Sequence, residues 1–175
     1  GEEPPARDHD GSIRGRLPIH GQPVLVVEEA GVVFETKEPD LRGWKAMTER
    51  ILHPSHRVRI AVVGKYTALH DAYKSVGEAL IHGGIPHDAR VEVEWIPSDR
   101  FTDSAAAGKL FEGFDGLLIP GGFGERGVEG MMNAVRWARE HDFPFPGICL
   151  GLQVAIIEFA RNVCDLPDPN STEFA

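Results

Sequence analysis

The stretch that decides the fold runs Pro144-Phe145-Pro146-Gly147-Ile148-Cys149-Leu150-Gly151 and continues without a break to Asn162. Pro144–Ile148 reads as a short strand and Leu150–Asn162 as a strongly apolar helix, with Cys149 at their junction. Working outward, Gly116–Ile119 is a fully apolar strand stopped by Pro120-Gly121-Gly122, and Gly130–His141 is helical. Before these, Arg90–Ile96 alternates Val91, Val93 and Trp95 with charged residues, a strand pattern, and Ala105–Phe111 suits a short helix. Val58–Val63 is a β-branched run ending at Gly64. Asp71–His82 follows as a helix, with Ala72, Val76, Ala79 and Leu80 on one face and Gly83-Gly84 as a stop. This strand–helix alternation predicts an α/β fold: a parallel sheet with helices on both faces. Sites in such sheets lie beyond the carboxyl ends of the strands. Those ends here are Gly64-Lys65-Tyr66, Pro120–Gly124 and Cys149.

Upstream the signals weaken. Pro39 precedes a helix expected over Asp40–Leu52, which Asp40 can cap and on which Leu41, Trp44, Met47 and Ile51 share a face. Pro23–Phe34 contains the apolar runs Val24–Val27 and Gly31–Phe34 and is compatible with a strand or a short helix. Residues 1–21 are rich in charge, Pro and Gly, without periodicity, and read as a leader or linker without stable structure. The expected division is 1–37 leader or linker, 38–56 linker helix, and 57–175 the α/β body.

Composition excludes several classes. Lys+Arg number 18 and Asp+Glu 27, a formal charge of −9, which argues against a nucleic-acid surface. No apolar run approaches the roughly 18 residues of a membrane span, and the acidic start is not a signal peptide. Two cysteines without a secretory signal do not form a disulfide framework, so the cytoplasm is the expected compartment.

Cys149 carries the strongest chemical signal. A cysteine between a strand and a helix, with glycine two residues away on each side, matches the nucleophile elbow of hydrolases. Small neighbours permit the sharp turn. The helix N-terminus favours an anionic sulfur, and the Leu150 N–H would face a developing oxyanion. Pro120–Gly124 follows an apolar strand and ends at the same sheet edge, which assigns Gly122 the second oxyanion donor. The ordinary alternatives are a buried unreactive cysteine and a plain glycine turn; Cys164, past the helix, falls under the first. Gly64-Lys65-Tyr66 is not a phosphate-binding loop, because no hydroxyl residue follows the lysine. His53 and His56 flank Pro54, the other histidines are scattered, and none follows Cys149. No metal-ligand spacing occurs, so no metal is expected in this chain.

Residues from about 38 to 174 resemble the glutaminase domain of the CTP synthase family. The resemblance rests on Ile60–Tyr66, Asp71–Val76, Ile119–Gly124 with Arg126–Gly130, Gly147–Gln153, Glu158–Val163 and Asn170–Phe174. The elbow by itself implies only a class I amidotransferase; the 120–130 and 170–174 segments narrow it. The resemblance implies a flavodoxin-like class I glutamine amidotransferase architecture, here incomplete. It implies that Cys149 is the nucleophile forming a γ-glutamyl thioester, with Gly122 and Leu150 as oxyanion donors. Gly122, Leu150, Gly151, Leu152, Gln153 and Glu173 are then the positions that hold L-glutamine, Glu173 pairing with its α-ammonium. Arg126, Gly127 and Glu129 are the lid that couples GTP, an allosteric activator, to glutamine hydrolysis. For Arg126 and Glu129 the ordinary alternative is an exposed ion pair.

The family also uses a catalytic histidine oriented by a glutamate, and a synthetase domain binding ATP, UTP and Mg2+, in homotetramers. None of these motifs occurs here, so the expectation is a chain that ends before the catalytic base, with an apolar edge left exposed. A fragment acting only as a binding module and another elbow-cysteine amidotransferase relative are the competing readings.

Overall fold

The computed structural model describes residues 13–14, 32–33, 39–69 and 71–173. The chain divides into two compact units, Gly1–Ala46 and Met47–Ala175. In the first, strand β1 (Ile13–Arg14) pairs in parallel with β2 (Val32–Val33). The rest of the expected leader and of Pro23–Phe34 lies outside the described residues. Helix α1 (Arg42–Leu52) starts two residues after Asp40, whose carboxylate accepts from the Arg42 N–H at 3.1 Å. Leu41, Trp44 and Ile51 of its apolar face remain exposed.

The second unit is built on a parallel sheet of β3 (His56–Gly64), β4 (Ala89–Pro97) and β5 (Gly116–Leu118), in the order β4-β3-β5. β3 sits centrally. Its carboxyl half, Ala61–Gly64, is buried, as the β-branched run requires when both faces are covered.

The expected strand Pro144–Ile148 runs beside β5 but forms only one bridge, Ile119 to Gly147. The Leu117 and Ile119 N–H groups donate to Pro144 O and Pro146 O at 2.8 and 3.1 Å, and the Ile148 N–H donates to Ile119 O at 2.9 Å. Two prolines in this segment have no N–H to return, so the ladder is one-sided for most of its length.

Helices cover both faces of the sheet. On one face Ala61, Val63, Ile96, Leu117 and Ile119 meet α3 (Ser104–Leu110), α4 (Val128–Glu140) and α5 (Leu150–Asn162) in a continuous buried core. Phe101, Phe111, Met131, Leu150 and Val154 fill it. On the other face, α2 (Lys74–Gly84) passes over Trp95, which Tyr73 stacks at 5.7 Å between ring centroids.

Helix α2 begins three residues later than its apolar pattern suggests. Residues 66–69 and 71–73 instead form tight turns, with the Leu69 N–H donating to Tyr66 O and the Ala72 N–H to Leu69 O. These turns bring the Tyr73 hydroxyl over the end of β3.

Helix α5 buries Leu150, Val154 and Ile157 but presents Leu152, Ile156, Phe159 and Val163 outward, each about half exposed or more. Exposed apolar side chains thus line a helix face, and Ile148 of the segment at the sheet edge is exposed as well. No helix among the described residues is long and apolar enough to cross a membrane.

Candidate functional site

The site forms where β3, β5 and the Pro144–Ile148 segment end. Cys149 is the N-cap of α5 and adopts φ 53°, ψ −106°, a conformation that side-chain-bearing residues rarely take. The surrounding packing imposes it. A Cβ on Gly147 would lie 2.6 Å from the Gly151 backbone, and one on Gly151 would lie 2.2 Å from Ile119 O. Only bare backbones let the helix start this close to the sheet. The elbow expected from sequence is thus present, and its cysteine is exposed.

Cys164 is exposed as well. This corrects the reading of it as a buried unreactive thiol, because the chain has left α5 before reaching it. Exposure does not separate the two cysteines; backbone conformation does.

The glycine loop lies against the elbow. A Cβ on Gly121 would stand 3.6 Å from Cys149 Cβ, and one on Gly122 would stand 3.1 Å from Leu150 Cδ2. In the first turn of α5 the Gly151 N–H donates to Ile148 O, and the Leu152 and Gln153 N–H groups donate to Cys149 O at 3.0 and 3.1 Å. Among the described residues the Leu150 N–H meets no backbone acceptor in these turns, as the first amide of a helix should. Gly122, Cys149, Leu150 and Gly151 are therefore brought together.

The remaining expected positions distribute around this centre. Gln153 lies on the same turn, and its buried Oε1 has no hydrogen-bond partner, an acceptor awaiting a donor. Leu152 is in the same turn with its side chain 55% exposed. The Glu173 carboxylate acts electrostatically on Lys65. Arg126 donates to Lys65 O at 3.2 Å and so stays at the end of β3. Gly127, at φ 77°, caps α4. Glu129 stands apart from this group: it lies in the first turn of α4 and accepts from Arg161 of α5 at 3.2 Å through both oxygens. Its partner is Arg161 rather than the neighbouring Arg126.

Two side chains that local pattern did not single out organise the site. The Tyr73 hydroxyl accepts the Lys65 and Tyr66 N–H groups, each at 3.3 Å, and burial pushes the phenol above its usual range. Lys65 is 8% exposed. Its ammonium donates to Phe123 O at 2.9 Å and also to Gly124 O. Burial, then the nearby Arg126 charge, pull the ammonium below the usual lysine range, and Glu173 opposes them. A lysine directly behind a buried strand end was the available signal. Among the described residues no group of three or more His, Cys, Asp or Glu side chains converges as metal ligands would.

A strained cysteine at a strand–helix junction, faced by a glycine loop, is the arrangement of a nucleophile elbow in an α/β protein. Residues 68–173 match the family described as glutamine amidotransferase class-I, and the chain belongs to that family. It is 48% identical to the CTP synthase of Methanococcus aeolicus over 155 residues, 86% of this chain and 29% of that protein. It is 54% identical to the CTP synthase of Gluconacetobacter diazotrophicus over 138 residues, 79% of this chain and 25% of that protein. A solved structure of the glutaminase domain of Trypanosoma brucei CTPS with bound acivicin is similar at a TM-score of 0.61 and 42% identity. That match covers 67% of this chain and 46% of the solved one. The chain thus spans just over a quarter of the length of these curated relatives.

Proposed function

We propose that residues 57–175 are the glutaminase portion of a CTP synthase, releasing ammonia from L-glutamine through a thioester at Cys149. The observation that carries this reading is the forced positive φ of Cys149 with Gly121 directly against it. The sulfur attacks the γ-carboxamide carbon and the carbonyl electron pair moves to oxygen, where the Gly122 and Leu150 amides receive it. Collapse breaks the carbon–nitrogen bond, the thiol's proton goes to the leaving nitrogen, and ammonia departs. Water then cleaves the γ-glutamyl thioester to glutamate and regenerates the thiol.

In this reading Glu173 pairs with the substrate ammonium, and Gln153 Oε1 accepts one of its N–H groups. Gly151 and Leu152 complete the wall. Arg126, Gly127 and Glu129 respond to GTP; Arg126, exposed on the loop, is the cation available to its phosphates. The ammonia serves the ATP-dependent amination of UTP to CTP. ATP and Mg2+ act in the portion of the relatives that this chain does not span, within a cytoplasmic homotetramer.

Intact-mass spectrometry after incubation with the reactive glutamine analogue 6-diazo-5-oxo-norleucine tests the reading. A single adduct mapped to Cys149 is expected. A folded chain whose Cys149 stays unmodified, while iodoacetamide still alkylates it, would refute glutamine recognition here.

A further inference from the structure

We infer that Lys65 is a positioning residue for the glycine loop, its ammonium holding the Phe123 and Gly124 carbonyls so that Gly122 stays against the elbow. This rests on the glutaminase reading for its chemical consequence, but not for its structural one.

An ammonium on a long flexible stem is rarely buried unless its hydrogen bonds are supplied by the protein. Lys65 is buried, and among the described residues no carboxylate lies within ion-pair distance of it. Two successive main-chain carbonyls, Phe123 O and Gly124 O, take the place of water. Successive carbonyls do not converge on one point in extended backbone. The bend at Gly124, φ 72°, lets them do so.

The consequence follows from peptide geometry. In a trans peptide the N–H and C=O point in opposite directions. Fixing these two oxygens on Lys65 therefore turns the Gly124 and Glu125 N–H groups away from it and sets the pitch of the whole loop. The lysine stem reaches the same loop: Lys65 Cδ lies 3.5 Å, and Leu150 Cδ2 3.1 Å, from where a Gly122 Cβ would stand. Gly122 thus packs against both α5 and the lysine.

The contact is closed from both sides. Arg126, at the far end of the loop, donates back to the Lys65 carbonyl at 3.2 Å, and the Tyr73 hydroxyl accepts the Lys65 N–H at 3.3 Å. The loop cannot lift without breaking both carbonyl contacts to the Lys65 ammonium. Lys65 and Phe123 are 58 residues apart in sequence, so the link ties β3 to the segment following β5.

The test compares the wild-type chain with Lys65→Met, which keeps the stem and removes the donors, and Lys65→Arg, which restores them. Amide hydrogen exchange at Val128, whose N–H donates to Glu125 O of the loop at 3.1 Å, should be about tenfold faster in Lys65→Met, as for a loop released to local opening. The rate of Cys149 alkylation by 6-diazo-5-oxo-norleucine should fall about tenfold or more, since a misplacement near 1 Å is costly to reaction geometry. Iodoacetamide, which needs only an exposed thiol, should stay within about twofold. Lys65→Arg should recover most of both losses. Unchanged exchange in Lys65→Met overturns the tether, and changed exchange with an unchanged analogue-to-iodoacetamide ratio overturns its effect on the chemistry. If the wild-type chain shows no reaction with the analogue, the glutaminase reading fails while exchange still decides the tether. Should Lys65→Met not fold, nitrogen-15 NMR of the wild-type chain decides. A slowly exchanging Lys65 ammonium resonance supports the tether, and one exchanging like surface lysines overturns it.

Discussion

Arg139 of α4 donates to both carboxylate oxygens of Glu158 on α5, at 2.7 Å and 3.0 Å, while Glu158 itself is 1% exposed. Asn162 adds a further bond to the same carboxylate at 3.2 Å. The pair fastens α5, the helix that Cys149 caps, to its neighbour from the side away from the apolar stripe.

Removing one partner should therefore hurt more than removing both. Arg139→Ala leaves a buried carboxylate half-satisfied and should cost about 3 kcal/mol. The double replacement Arg139→Met with Glu158→Leu should recover most of that loss. Urea unfolding of the three variants measures it, and a double variant no better than Arg139→Ala would contradict the account.

The elbow strain predicts an inversion of the usual glycine penalty. At Cys149, φ 53° and ψ −106° penalise any Cβ. Strain of about 1–3 kcal/mol, less the glycine entropy cost, should make Cys149→Gly about 1–2 kcal/mol more stable than Cys149→Ala. At Cys164, whose φ is ordinary, the order should reverse. Thermal melts of the four variants supply the comparison.

Both cysteines are exposed, so a general alkylating agent should label both. A glutamine-mimicking electrophile should label one. Cys149→Ala should abolish that adduct, and Cys164→Ala should leave its rate within about twofold. Equal labelling of the two variants would remove Cys149 from its role.

Tyr73 should set an alkaline limit on stability. Burial holds its phenol above the ordinary value of 10.0. Below about pH 10 both folded and unfolded chains keep it neutral, and its contribution is intact. As pH rises through that value the unfolded chain ionises first, so stability falls until the folded phenol also titrates. Tyr73→Phe should flatten this limb above about pH 10. At neutral pH it should cost about 1–3 kcal/mol for the Lys65 and Tyr66 N–H groups left without an acceptor. Denaturation curves across that range check both effects.

The features legible in the chain's residues alone were local in origin. Apolar runs and helical periodicities gave the strand–helix alternation. Gly147 and Gly151 around Cys149 announced the elbow, because its conformation depends on the size of side chains within a few residues. Helix α5 starts and stops where its apolar pattern does, at Leu150 and Asn162. The Pro144–Ile148 segment lies beside β5, yet its own prolines deny it a full ladder. Tertiary structure alone decided the contacts between distant segments. Lys65 meets Phe123, Arg161 meets Glu129, and Tyr73 reaches back over β3. None of these has a local signature, since an ammonium, a guanidinium or a phenol has the same sequence context whether it faces water or a carbonyl. Which one it faces is fixed only when the sheet register brings the strand ends together and burial makes a missing partner costly.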